Sequence, residues 1–263
     1  MTSYSSRVAV ALVGIPLMLA AAWQGGFVLA ALVALVGVLA VREGWRLLAG
    51  SAQDRIRLPV YLFALWAPAV AALRWPVSYS VSLSVAALAV GILALVHSPQ
   101  EGRDRAVAAL TLLVYPTTLL QSLLWIRLEA GALELFYLLA LVWAGDTAAF
   151  EGGRRTGRRP LARELSPNKT VEGALWALAA SLAVACLAIV VWPDSRSAVW
   201  YLVASVVVWF LSVCGDLFES LLKRAAGRKD SGQLLSAHGG VLDRFDSLLW
   251  AGAGLYVLTL WRP

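Results

Sequence analysis

From Val8 to Val41 the chain carries no ionisable side chain at all. As one helix that stretch would be about 50 Å long, too long for a bilayer hydrocarbon core of about 30 Å. The sequence therefore implies a hairpin that turns at Gly25-Gly26. A span needs roughly 20 apolar residues, or about 17 to 25 with tilt, and nine candidate runs can be read. They are Val8–Trp23, Phe27–Val41, Leu58–Leu73, Val77–Val96, Ala106–Ile126, Ala132–Phe150, Val171–Trp192, Ser197–Leu217 and Val241–Trp261. Only 14% of residues are charged, against about 25% in a soluble chain, so no water-soluble core could absorb this apolar surface. The expected fold class is all-α, a polytopic transmembrane helical protein with about nine spans and a cytoplasmic N-terminus. Arg7, ahead of an apolar run with small residues at Ala20–Ala22, also fits a secretory leader. The second apolar segment directly after it favours a retained hairpin.

Orientation follows from the lysines and arginines, which cytoplasmic loops carry in excess. With the N-terminus inside, the inside segments hold 17 of them and the outside segments four, namely Arg74, Arg127, Arg196 and Arg262, with Arg244 at the inner end of the last run. A pI near 9.7 is then explained by topology and by attraction to anionic lipid, and calls for no nucleic acid. Trp23, Trp45, Trp75, Trp125, Trp192, Trp200 and Trp261 fall near predicted span ends, where the indole suits the headgroup zone. Cys186 and Cys214 lie inside apolar runs and read as buried, inert thiols. Residues 1–130 form an apolar half without a chemical motif. Residues 131–263 form a catalytic region with two charged cytoplasmic loops, 151–170 and 220–240.

Carboxylates within or beside the spans carry the chemistry, because an intramembrane charge is costly and usually faces a polar cavity or a partner. Asp146 is embedded in an apolar run, Asp216 and Glu219 close the eighth, and Asp243 and Asp246 open the ninth. Helical spacing places Asp216, Glu219, Ser220 and Lys223 on one stripe and Asp243, Asp246 and Ser247 on another. The two stripes should face each other across a short loop. Carboxylates gathered without an equal number of nearby His or Cys favour a hard cation such as Mg²⁺, and the adjacent Lys and Arg suit phosphates. Ser166-Pro167-Asn168-Lys169-Thr170 precedes a helix start, which suits an anion and equally an ordinary turn. Gly152-Gly153 and Gly157 lack P-loop spacing.

Ser220-Leu-Leu-Lys223-Arg224, Lys229-Asp230-Ser231-Gly232 and His238-Gly239-Gly240-Val-Leu-Asp243-Arg244-Phe245-Asp246 resemble the signature of the phosphatidate cytidylyltransferases, or CDP-diacylglycerol synthases. Ser166 to Gly173 and Asp146-Thr147 also look like family segments, so the resemblance covers most of residues 140–250. The N-terminal half is similar only in being hydrophobic. Ser236, Phe150 and the arginine-rich stretch Arg154–Arg163 depart from the family pattern without removing an acid or lysine of the motif.

The resemblance implies transfer of the cytidylyl group of CTP to phosphatidate, giving CDP-diacylglycerol and pyrophosphate. It implies Mg²⁺ on some of Asp216, Asp243 and Asp246, with Asp146 and Glu219 as further candidates, and leaves open a second, monovalent cation. Catalytic roles fall to Asp216, Lys223, Asp243 and Asp246. Substrate binding falls to Ser166, Lys169, Ser220, Arg224, Lys229, His238 and Arg244, with His238 not assigned as a base. The resemblance also implies a homodimer, with CTP, phosphatidate and membrane lipids as partners; the low Lys content relative to Arg and the Ala/Leu-rich spans suit a bacterial cell inner membrane, and the charged loops put the active site on its cytoplasmic face. The competing readings are a CTP-dependent lipid kinase and a lipid or ion transporter. A transporter would place its acids nearer the midplane, usually with repeat symmetry.

Overall fold

The computed structural model describes residues 4–50, 54–75, 78–232 and 239–261. Every one of the nine apolar runs is built into helix: α1 (Tyr4–Gln24), α2 (Gly26–Leu48), α3 (Leu58–Leu73), α4 (Tyr79–Ala94), α5 (Pro99–Leu112) continuing into α6 (Leu119–Trp125), α7 (Ala132–Thr156), α8 (Val171–Val191), α9 (Ala198–Ala225) and α10 (Leu242–Leu260). Among the described residues, six helical stretches are long and apolar enough to cross a bilayer, and Leu12–Gln24 and Tyr79–Ala94 are shorter apolar helices. The last helix, α10, is not one of the six, because Asp243, Arg244 and Asp246 occupy its first turns. The outer faces carry exposed large side chains such as Leu88, Ile92, Leu187, Val190, Phe210 and Val257. Such a surface belongs against lipid, and the chain is a multi-pass membrane protein.

The hairpin forms where expected. Gly25 and Gly26 both adopt positive φ, 66° and 48°, which glycine alone takes without steric cost. The carbonyls left unpaired at the end of α1 are met from across the bundle: Arg127 Nε donates to Ala22 O at 2.8 Å and Nη2 to Trp23 O at 2.9 Å. Helix α2 then serves two cores. Val33, Val36 and Ala40 pack with α7, α9 and α10, while Val41 and Trp45 pack with α3, α4 and α5.

Residues Pro99–Ala130 form one long rod interrupted by wide π turns at Leu113–Thr118 and Ile126–Ala130. Pro116 explains the first, since it has no N–H to give to the preceding turn. The Thr117 hydroxyl donates instead to the Leu113 and Leu112 carbonyls, at 2.5 and 3.2 Å, and Thr118 Oγ1 donates to Leu113 O at 2.7 Å. In lipid no water would satisfy those oxygens.

Helices α7 and α8 cross closely because their facing positions are small. Gly145, Ala149 and Gly153 on α7 meet Gly173, Ala177 and Ser181 on α8, a spacing of four that brings backbones together. Helix α9, at about 42 Å, exceeds the hydrocarbon core, so its charged end, Glu219 to Arg224, has room to stand clear of it.

Several expectations need correction. The loop expected over 151–170 is instead the last turns of α7 followed by a small antiparallel hairpin of β1 (Pro160–Ala162) and β2 (Ser166–Thr170) set in an otherwise helical fold. The loop expected over 220–240 begins only after Ala225, because α9 continues through the acidic stripe. Trp45 and Trp200 are buried, at 2% and 3% exposure, in protein rather than headgroups; Trp200 donates its indole N–H to Leu258 O. Cys186 is exposed and Cys214 half-buried, with no disulfide between them.

Candidate active site

A cavity of about 660 Å³ opens at one end of the bundle between α7, α8, α9, α10 and the hairpin, well within the roughly 300–1,000 Å³ of small-molecule sites. It has two characters. Asp146, Lys169, Asp216, Lys223, Asp243, Arg244 and Asp246 line one part, while Leu141, Val142, Ala177, Trp209 and Val213 make an apolar wall.

The two acidic stripes do face each other. Lys223 Nζ lies 2.7 Å from both Glu219 Oε2, one turn earlier on α9, and Asp243 Oδ1 on α10. The other oxygen of Asp243 accepts from Gly240 N at 2.7 Å, Ser231 Oγ at 2.8 Å and Ser231 N at 3.0 Å. That is a satisfied carboxylate at the start of a helix, where the backbone dipole favours negative charge. Gly239, at φ 77°, makes this turn; a Cβ there would lie 2.7 Å from Asp243 Oδ2. Gly215 lets the two helices meet, since its Cβ would press on the Asp246 carbonyl at 2.5 Å. Asp246 is 8% exposed, accepts from Ser247 N at 2.7 Å and stands near the buried carboxyl of Glu219.

Lys169 arrives from β2 and forms an ion pair with Asp216. Thr170, next along, caps α8 by accepting from Gly173 N at 3.1 Å. The hairpin is itself tied down by Glu172, whose Oε2 accepts from Arg158 N and Arg159 N at 2.9 and 3.1 Å. Burial pushes the Lys169 ammonium down to about 8, against the pull of Asp246 and Asp146.

The expected substrate-binding residues divide. Ser166, Lys169 and Arg244 line the cavity. Arg224 does not: its Nε donates to Leu165 O at 3.2 Å and Nη1 to Arg228 O at 3.4 Å, so it clasps the hairpin to the end of α9. Ser220 is buried behind the lining and Lys229 is exposed beyond it. His238 lies outside the described residues, as does Ser236.

For a divalent cation, the donor set is of the right kind although it is not assembled as a ligand shell. Among the described residues, no three His, Cys, Asp or Glu side chains are grouped to hold a metal ion, because Lys169 and Lys223 take up the carboxylates. Asp146, Asp216, Asp243 and Asp246 nevertheless match Arg154, Lys169, Lys223 and Arg244 in number along the cavity, and Glu219 behind Lys223 adds a fifth acid. Among the described residues Glu219 Oε1 is buried without a partner, with the Asp246 carboxyl near enough to act on its charge, and neighbouring buried carboxyls call for a proton or a cation. All-oxygen donors suit Mg²⁺.

Sequence reasoning missed Glu43. It lies in the half of the chain without a motif, yet it is 1% exposed and its Oε2 accepts from Leu242 N at 2.9 Å. A lone acid at the end of an apolar run reads as an ordinary boundary charge; nothing local in the sequence points to α10.

With this geometry, two kinds of likeness to known proteins agree. The family model described as the cytidylyltransferase family matches residues 5–261. Three similar proteins are each named phosphatidate cytidylyltransferase. The one from Helicobacter pylori is 38% identical over 155 residues, covering 57% of this chain and 57% of that protein. The one from Haemophilus influenzae is 43% identical over 122 residues, 45% of this chain and 42% of that protein. The one from Bacillus subtilis is 40% identical over 133 residues, 49% and 48%. The chain thus spans about half the length of the curated relatives it matches.

Proposed function

This chain belongs to the cytidylyltransferase family, and from that premise we propose that it transfers the cytidylyl group of CTP to phosphatidate, releasing pyrophosphate and leaving CDP-diacylglycerol in the bilayer. The observation that carries the reading is that one and the same cavity is charged in one part and apolar along its α7–α9 wall. A triphosphate suits the first part and a lipid the second, and the relatives bear the corresponding name.

A phosphate oxygen of phosphatidate attacks the α-phosphorus of CTP; an oxygen–phosphorus bond forms there and the bond to the β-phosphate breaks. Both reactants are anions, so the protein must align them and offset charge rather than supply a nucleophile. Lys223, held between Glu219 and Asp243, presents a fixed ammonium to the triphosphate. Lys169 and Arg244 face it from the hairpin and from α10. Asp216, Asp243 and Asp246 are the proposed holders of Mg²⁺, with Asp146 and Glu219 as further candidates. Bound there, Mg²⁺ would neutralise charge on the phosphate oxygens and on the leaving pyrophosphate. Ser166 lines the mouth as a hydroxyl donor. Arg224 acts on the hairpin, and Ser220, Lys229 and His238 keep roles in substrate binding on the resemblance alone.

The nine-span topology, with the N-terminus and the cavity on the cytoplasmic side of the inner membrane, belongs to the same proposal. It is supported by the positive-inside count and by the need to meet dissolved CTP. A homodimer rests on the resemblance.

The test is product formation by purified protein in mixed micelles with labelled CTP and phosphatidate, with Mg²⁺ or EDTA and with monovalent salt varied, alongside Asp246→Asn. CDP-diacylglycerol and pyrophosphate in wild type, lost with EDTA and in the variant, support the reading. Phosphorylated lipid with CDP would establish a kinase instead, and absence of any nucleotide turnover would turn attention to transport.

A further inference from the structure

Glu43 stands on α2, outside every segment that carries the signature, yet it touches both ends of the stretch from Ser231 to Leu242. Its Oε2 accepts from the Leu242 N–H at 2.9 Å, the first of α10, and lies 3.4 Å from Ser231 Oγ. The same hydroxyl donates to Asp243 Oδ2 at 2.8 Å, and Asp243 Oδ1 holds Lys223. One chain of contacts therefore runs from α2 through Ser231 and Asp243 to the lysine that faces the cavity.

The glycines around it are shaped to this carboxyl. A Cβ at Gly232 would lie 2.6 Å from Glu43 Oε1, and one at Gly240 would overlap both the Glu43 carboxyl and the Ser231 hydroxyl. Among the described residues the remaining oxygen, Oε1, is buried with no hydrogen-bond partner. Burying a carboxyl is costly, and an apolar side chain could have filled the space against Gly232, Gly240 and α10. What the carboxyl does instead is accept at the start of α10, where the helix dipole favours it.

We propose that Glu43 is a positioning residue: through Leu242 and Ser231 it fixes the start of α10, so that Asp243 and Lys223 stand at the distances the transfer needs. This rests on the cytidylyltransferase reading of the cavity. The working group is an acceptor oxygen at the Oε2 position. Glutamine can supply one there and place its amide where Oε1 makes no hydrogen bond.

The experiment compares Glu43→Gln, Glu43→Ala, Ser231→Ala and the Glu43→Ala/Ser231→Ala double variant in the full-length protein. Each is assayed for CTP- and phosphatidate-dependent turnover per folded molecule, with folding checked by gel filtration and thermal unfolding in detergent. Glu43→Ala is expected to lose about 10- to 100-fold in kcat, the scale of an ångström-level misplacement. Glu43→Gln should stay within about threefold of wild type, and the double variant should be little worse than the worse single one, since residues acting through one chain are not additive. Full activity in Glu43→Ala would overturn the proposal. So would a Glu43→Gln variant that is folded and as impaired as Glu43→Ala, which would make the charge rather than the acceptor essential. Multiplying effects of the two alanines would also overturn it, by showing that Glu43 and Ser231 act separately. Wild type that turns over neither substrate would refute the underlying reading instead.

Discussion

Replacing Lys223 by methionine separates what this residue does for stability from what it does for chemistry. Its side chain is 14% exposed, and its ammonium sits between Glu219, which is wholly buried, and Asp243, 11% exposed. Among the described residues, loss of the ammonium leaves Glu219 with an oxygen already unpartnered and its second oxygen newly so, whereas Asp243 keeps three donors on Oδ2. Removing one partner from a buried pair costs about 3–5 kcal/mol. For a chain of this size each kcal/mol lowers Tm by about 2–4 °C, so Lys223→Met should melt ~6–20 °C below wild type. Because the stranded group is Glu219, Glu219→Gln in the same chain should return most of that loss. It should not return turnover, since no ammonium then faces the triphosphate. Tryptophan fluorescence on heating in detergent reads the first effect and labelled CTP the second. A Lys223→Met protein that melts within 2 °C of wild type, or a double variant that regains activity, would refute this reasoning.

Because burial holds the Lys169 ammonium near 8, below the ordinary lysine value of about 10.4, its charge is lost as pH rises through about 8, where an ordinary lysine would keep it. kcat/KM should fall across that range, and Lys169→Arg, whose guanidinium stays charged, should flatten the fall in a pH–rate profile. Gly173→Ala would set a Cβ 2.8 Å from Ala149 O and 3.3 Å from Gly153 Cα, backbone atoms that cannot yield. The cost is about 1–3 kcal/mol, or ~2–12 °C in Tm, whereas Gly91→Ala, which meets nothing within 4 Å, should melt like wild type. In a background where Cys186 and Cys214 are alanine, Ser195→Cys should react with an impermeant maleimide added outside intact cells, and Arg228→Cys only after permeabilisation. The reverse pattern would invert the topology.

What could be read from the chain alone were the features set by periodicity and by solvent. Nine apolar runs are helices because a backbone in lipid must satisfy itself, and the turn at Gly25-Gly26 falls where the charge-free stretch outgrows the bilayer. The stripe of Asp216, Glu219 and Lys223 needs only the 3.6-residue repeat, and its meeting with Asp243 needs only a short connection between two helices. The signature residues identified the family for the same reason: they are close in sequence. Contacts between distant segments were not legible. Arg127 on the end of α1, Arg224 on the hairpin, Trp45 inside a core and Glu43 against α10 depend on how helices pack, and an isolated Arg, Trp or Glu at a span boundary looks the same whether it faces water, headgroups or protein. Tertiary structure alone decided that Lys169 pairs with Asp216 and that a carboxylate from the motif-free half reaches the site, because burial and pairing belong to a place in three dimensions and have no period along the chain.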